Sequence, residues 1–174
     1  EKENSDIVLR AYSEDQAAVN ELINKKIYHF MQPGHQYIFE DLCYPGYGFD
    51  EWGPILATSC FKTKMLKDTR FKLTEKCFYV DMEFDVYSII KARTVAYYPL
   101  DIYRYYIGRV GQSVSKQSFM RNHAQHAKVL FNILEYLKTI PDISSGKRAY
   151  ILDKVVVPMT KAHYLIVGTY WTKR

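Results

Sequence analysis

Residues 78–107 bring two hydrophobic periods into direct succession. Over 82–93, Met82, Val86, Ile89 and Ile90 recur at the spacing of one helix face. Immediately afterwards TVAYYPLDIYRYYI alternates and is rich in β-branched and aromatic residues, which reads as two strands broken near Pro99. A helix that hands over to strands within a few residues points to an α/β chain, mixed α+β in detail. The helix begins at or beside Asp81, within FYVDMEFDVY. Asp81 is then either an N-cap or a carboxylate facing a cleft. Glu83 and Asp85 are expected on the exposed face of the first turn, where the helix dipole favours them.

The remaining elements follow from local signals. Residues 6–12 predict a buried strand, 13–26 a polar helix or loop, and IYHFM (27–31) a further strand. PGHQ at 33–36 is a turn, because proline fixes φ and glycine accepts positive φ. YIFEDLCY predicts a short strand or a helix start. YPGYGFDEWGP (44–54) places three glycines and two prolines in eleven residues, so it is a loop, and its aromatics suit a lid or pocket wall. ILATSCFKTKMLKD reads as a strand passing into a short helix, and GRVGQSVSKQS as a loop. An amphipathic helix fills 116–140, with Leu130, Ile133, Leu134 and Leu137 on one face and Pro141 after its end. A last helix over about 147–172 is kinked at Pro158. The expected organisation is a mixed portion over 1–115 and a helical extension over 116–174 packed on it.

Composition narrows the functional classes. With 174 residues, 48% of them hydrophobic and 16% aromatic, the chain supports one folded core rather than a disordered tail. Lys and Arg number 24 against 19 Asp and Glu, a net charge of +5. That excess suits a nucleotide phosphate or an acidic membrane surface, and it lacks the dense basic stripe of a nucleic-acid binder. No uncharged apolar run is long enough to span a bilayer. Cys43, Cys60 and Cys77 have no zinc-site spacing and read as thiols of a reducing cytosol. His123 and His126 lie three apart on the long helix without a visible third ligand, and read as solvated or packing histidines.

The order of WGPILATSCFKTKML, RFKLTEKCFYVDMEF and TVAYYPLDIYRYYIGRVGQSVS resembles the second half of bacterial family 2 glycosyltransferases of the GT-A fold. Trp52, Lys62, Phe71, Asp81, Phe84, Tyr103, Arg104, Ser113 and Ser115 fall in the order of that family's tryptophan segment, lysine, acidic helix start, Tyr-Arg strand pair and Ser-x-Ser loop. The likeness covers about residues 5–140, with Val80 standing where the family has the glutamate of a Glu-Asp pair.

The resemblance implies a partial GT-A-like half of an inverting hexosyltransferase, with Asp81 as the base near the acceptor hydroxyl. Trp52, Lys62, Tyr103, Arg104, Arg109, Gln112 and Ser113 are the implied donor and acceptor contacts. The implied partners are a nucleotide-sugar donor and a glycan acceptor such as a surface polysaccharide, with no nucleic acid. Mg²⁺ or Mn²⁺ would be held mainly by a DXD motif in a donor-binding half upstream of Glu1. The chain opens without a methionine, so a piece of a larger protein, inactive alone, is the expectation. Asp81-Met82-Glu83 has the form of a DXD motif but comes too late in the order, and the Glu-Asp pair at 40–41 comes too early. The implied location is the cytoplasm, at the inner face of the membrane, with the C-terminal helices as a docking face for a membrane or a second copy. A module that binds a protein partner without catalysis is the rival reading.

Overall fold

The computed structural model describes residues 4–16, 21–46, 48, 49, 53–68, 71–108, 112 and 115–171. A mixed sheet is built around strand β1 (Ile7–Gln16), which pairs in parallel with β5 (Thr94–Ile107). The other edge of β1 carries two antiparallel partners in tandem. β4 (Ser59–Phe61) pairs with residues 7–9, and β2 (Glu21–Lys26) pairs with residues 12–16. β3 (Gln36–Ile38) closes the far side, antiparallel to β5. The chain is therefore a mixed α/β fold, as the change of period at residues 93–94 predicts.

Helices α1 (Thr63–Asp68) and α2 (Val80–Lys91) lie in the crossover between the parallel strands. Next come α3 (Lys116–Arg121), α4 (His123–Thr139), α5 (Ser145–Ile151) and α6 (Val157–Trp171). One apolar cluster joins Ile7 and Leu9 of β1, Val95 and Tyr97 of β5, Val86 and Ile89 of α2, Val129 and Ile133 of α4, and Ile151 of α5. Sheet and C-terminal helices thus share a core. The α4 face is the one its spacing predicts, with Leu130, Ile133 and Leu137 buried and Leu134 half-buried.

Several segments depart from their local signals. Residues 27–31 form no strand: Tyr28 and Met31 are buried three apart, and the Met31 N–H bonds the Tyr28 carbonyl at 3.1 Å. That is the spacing of a turn, not of a pleat. The polar stretch 13–26 supplies the end of β1 and all of β2 in place of a helix. β5 is one strand, yet its pairing jumps: Arg10 faces Tyr98 and Tyr12 faces Tyr103. Pro99 sits in that excursion, where it has no ladder bond to donate. The Ser13 hydroxyl donates to the Asp101 carboxylate and pins the excursion to β1. In the C-terminal region, α5 and α6 are joined by one wide π-helical turn over Leu152–Val156. The Pro158 ring clashes with the carbonyl four residues back in an unbroken α-helix, and the wide turn ahead of it absorbs the strain.

The two faces of α4 give a direct test of this core. Ile133 is fully buried and Phe131 is 63% exposed. Ile133→Ala is expected to cost about 2–5 kcal/mol and Phe131→Ala less than about 0.5 kcal/mol, both read from urea unfolding midpoints. Equal losses would mean that α4 packs through a different face.

Candidate functional site

The site is built from the turn that launches α2. Two residues before and within that turn take positive φ without being glycine: Lys76 at 52° and Tyr79 at 69°. The left-handed region is disfavoured for a side chain with a Cβ, by about 1–2 kcal/mol, so packing must hold it. The Tyr79 ring supplies that packing. It lies 5.0 Å from Phe119 of α3 and 5.2 Å, edge to face, from His126 of α4. His126 is buried and in turn stacks parallel to His163 of α6 at 5.8 Å. Burial, and then His163, hold His126 below its ordinary pKa.

The second clamp is Glu83, which is 1% exposed. Its two carboxyl oxygens accept the Thr74 N–H at 2.8 Å and the Thr74 hydroxyl at 2.8 Å. The Asn132 amide donates to it at 3.0 Å and to the Thr74 hydroxyl oxygen at 2.8 Å. One side chain thereby ties the 72–79 loop, α2 and α4 together. Asp85 is 4% exposed and accepts the Leu56 N–H at 2.7 Å. Both acids are buried, which reverses the expectation that they are solvated first-turn charges. About 200° of helix separates residues two apart, so Asp81 and Glu83 face differently and cannot chelate one ion. Among the described residues there is no cluster of three metal-ligating side chains. The residues here do not fit a divalent cation.

Asp81 itself is exposed, in the first turn of α2. The cap position belongs to Tyr79, with no side-chain cap bond, so Asp81 is not the N-cap. Its charge acts on both Tyr79 and Asp85. α2 ends three residues before β5 begins, so it runs back along the strands and Asp85 lies further from that start than Lys91. Asp81, one turn earlier, therefore lies toward the carboxyl-terminal end of β1 and β5. Tyr103 and Arg104 pair with Tyr12 and Ser13 at that same end. Tyr103 is half-buried against Tyr105, with rings 6.3 Å apart, and Arg104 is exposed.

The other implied contacts divide. Lys62 lies at the opposite end of α2, beside Asp6 at 3.7 Å, in a hollow of about 390 Å³ that Lys91 and Arg93 also line. α2 has twelve residues, about 16 Å of rise, so Lys62 and Asp81 do not share a site. Gln112 clamps its own loop, accepting the Gly108 N–H at 2.8 Å and donating to the Tyr106 carbonyl at 2.7 Å. Ser115 caps α3 through the Ser118 N–H. Trp52, Arg109 and Ser113 lie outside the described residues. Sequence reasoning missed Tyr79, Glu83 and Asp85 as the supports of Asp81. The basic pair Lys91 and Arg93 was visible in the sequence, where it flanks the end of the helix. No described helix is long and apolar enough to cross a membrane. The sequence matches no family model and no curated protein.

Asp85 makes the site sensitive to pH. Burial raises its carboxyl well above the ordinary carboxylate range; the Leu56 N–H opposes this and the Asp81 charge adds to it. The folded state then holds its proton more tightly than the unfolded chain. The linked stability is full below about pH 4, the unfolded value, and is lost as pH rises through the folded pKa. Asp85→Asn keeps an acceptor for Leu56 and carries no charge. It is expected to equal the parent near pH 4 and to exceed it in stability at pH 8. Urea titrations across that range would refute the assignment if the variant were weaker at pH 8.

Proposed function

We propose that this chain is the acceptor-side part of an inverting glycosyltransferase, with Asp81 as the base. The observation that carries this reading is the exposed Asp81 carboxylate on a strained, doubly clamped turn. It lies toward the carboxyl-terminal ends of a parallel strand pair, where open α/β sheets bind their ligands. Backbone strain held by packing is a common mark of a working site. Asp81 is also free of cap duty, and among the described residues its carboxylate makes no hydrogen bond.

In this reading a hydroxyl of a glycan acceptor lies against the Asp81 carboxylate. The hydroxyl oxygen attacks the anomeric carbon of a nucleotide-sugar donor from the face opposite the diphosphate. Asp81 takes the hydroxyl proton as the new C–O bond forms and the bond to the diphosphate breaks, so the configuration inverts. Tyr103 and Arg104, at the same end of the sheet, are the contacts left to the acceptor or the leaving diphosphate. The clamp through Glu83 and the Tyr79 ring keep the base in place, which matters because displacing a catalytic group by an ångström costs about a hundredfold in rate.

A second reading, a module that binds a protein partner without catalysis, is favoured by Leu100 and Ile102, which are 56% and 64% exposed on the β5 excursion. One experiment separates the two. In the gene product that carries this chain, Asp81→Asn is expected to lower sugar transfer by about 10²–10⁴-fold, with an unchanged melting temperature. Transfer that survives the substitution removes Asp81 from the chemistry. A parent protein that transfers no sugar from any nucleotide donor leaves the interaction module.

A further inference from the structure

The hollow at the amino-terminal end of β1 and β5 plays no part in the reading above. Lys62 and Lys64 reach it from the β4–α1 corner, Lys91 from the last turn of α2, and Arg93 from the link to β5. They face the two acids Asp6 and Asp68. Asp6 is already engaged: one carboxyl oxygen accepts the Arg93 backbone N–H at 2.9 Å and the other lies 3.7 Å from the Lys62 ammonium. The Asp6 N–H donates to the Thr94 hydroxyl at 3.0 Å, so this acid is part of the frame. Lys64, Lys91 and Arg93 are exposed and make no ion pair among the described residues.

The backbone does not offset that positive charge. The carboxyl end of a helix carries partial negative charge, and α2 ends at this hollow. The Lys147 ammonium, however, donates to the Ile90 carbonyl at 3.0 Å and to that of Ala92, and so covers those carbonyls. The lining has one apolar side chain, Met65, and no aromatic ring. A nucleobase or sugar face has nothing to stack on, so recognition rests on charge. Arginine and lysine together are the donor set for phosphate oxygens.

We propose that this hollow binds a phosphate-bearing ligand through its phosphate oxygens, held by Lys64, Lys91 and Arg93. The phosphate can arrive on a small polyanion or as the headgroup of an anionic phospholipid, and the chemistry of recognition is the same. The site lies at the opposite end of α2 from Asp81 and its test reads binding, so it stands or falls apart from the sugar-transfer reading.

Two probes test it: inorganic pyrophosphate by calorimetry, and phosphatidylglycerol against phosphatidylcholine vesicles by sedimentation. The protein is expected to bind pyrophosphate, or to bind only the anionic vesicles, more weakly as salt rises. Pyrophosphate binding assigns a free polyanion, and vesicle binding alone assigns the headgroup. In either arm Lys91→Gln with Arg93→Gln is expected to weaken binding at least tenfold. Lys138→Gln with Lys161→Gln, which removes equal charge elsewhere, is expected to change it less than twofold. Lys64→Glu, on the exposed face of α1, gives an independent loss should the first pair unfold, and melting curves distinguish the cases. The proposal is overturned if neither probe binds, if binding survives these hollow variants in their folded state, or if the distant pair weakens it equally.

Discussion

The carboxyl group of Glu83 is the constraint on which the local architecture depends. A buried carboxyl group without partners costs several kcal/mol, and here Thr74 supplies two donors and Asn132 a third. Those partners come from the loop before α2 and from α4, elements distant in sequence. Removing Thr74 would leave Glu83 with Asn132 as its remaining donor. The direction of α2, the left-handed turn at Tyr79 and the exposure of Asp81 follow from this arrangement, because the loop cannot shift without breaking bonds that have no water to replace them. The ring packing of Tyr79 against Phe119 and His126 acts on the same turn from the other side.

Much of this was legible in the sequence, for a definite reason. Met82, Val86, Ile89 and Ile90 share a helical period, and Leu130, Ile133 and Leu137 share another, so helices α2 and α4 and their apolar faces could be read. Periodicity reports which residues point the same way. It does not report how many sides of a helix are covered. From Asp85 to Ile89 every residue of α2 is buried, and Glu83 is buried on the face toward α4. A helix enclosed all round normally announces itself by apolar composition. Acids that find donors inside the fold hide that signal, so Glu83 and Asp85 read as solvated charges.

Strand pairing was legible less far. β2 has four polar residues among its six and pairs with the end of β1, with a shift in register between Glu14 and Asp15. No side-chain alternation records such pairing. Pro99 correctly marked a disturbance in β5, but the structure absorbs it as an excursion of the pairing within one strand. Lys62 was grouped with Asp81 because the family resemblance places them in successive motifs, and both lie in the crossover between β1 and β5. The crossover runs along the sheet and back, so neighbours in motif order ended at opposite ends of α2.

That separation follows the polarity of the helix itself. The amino-terminal turn of α2 carries Asp81 and Glu83, and its carboxyl-terminal side carries Lys91 and Arg93 with Lys147 against the last carbonyls. Each charge sits where the helix dipole favours it, so the distribution needs no function to explain its sign. The dipole leaves two features unexplained. The dipole requires no left-handed tyrosine at the amino end, and at the other end Lys147 already covers the Ile90 and Ala92 carbonyls. The strained turn under Asp81 and the surplus of unpaired cations around Arg93 are both additional to stability. A rigid helix, pinned near its start by Glu83 and at its end by Lys147, keeps these two features about 16 Å apart and facing different surfaces. The proposed base and the proposed phosphate site are thereby joined by α2 and by the two clamps at its ends.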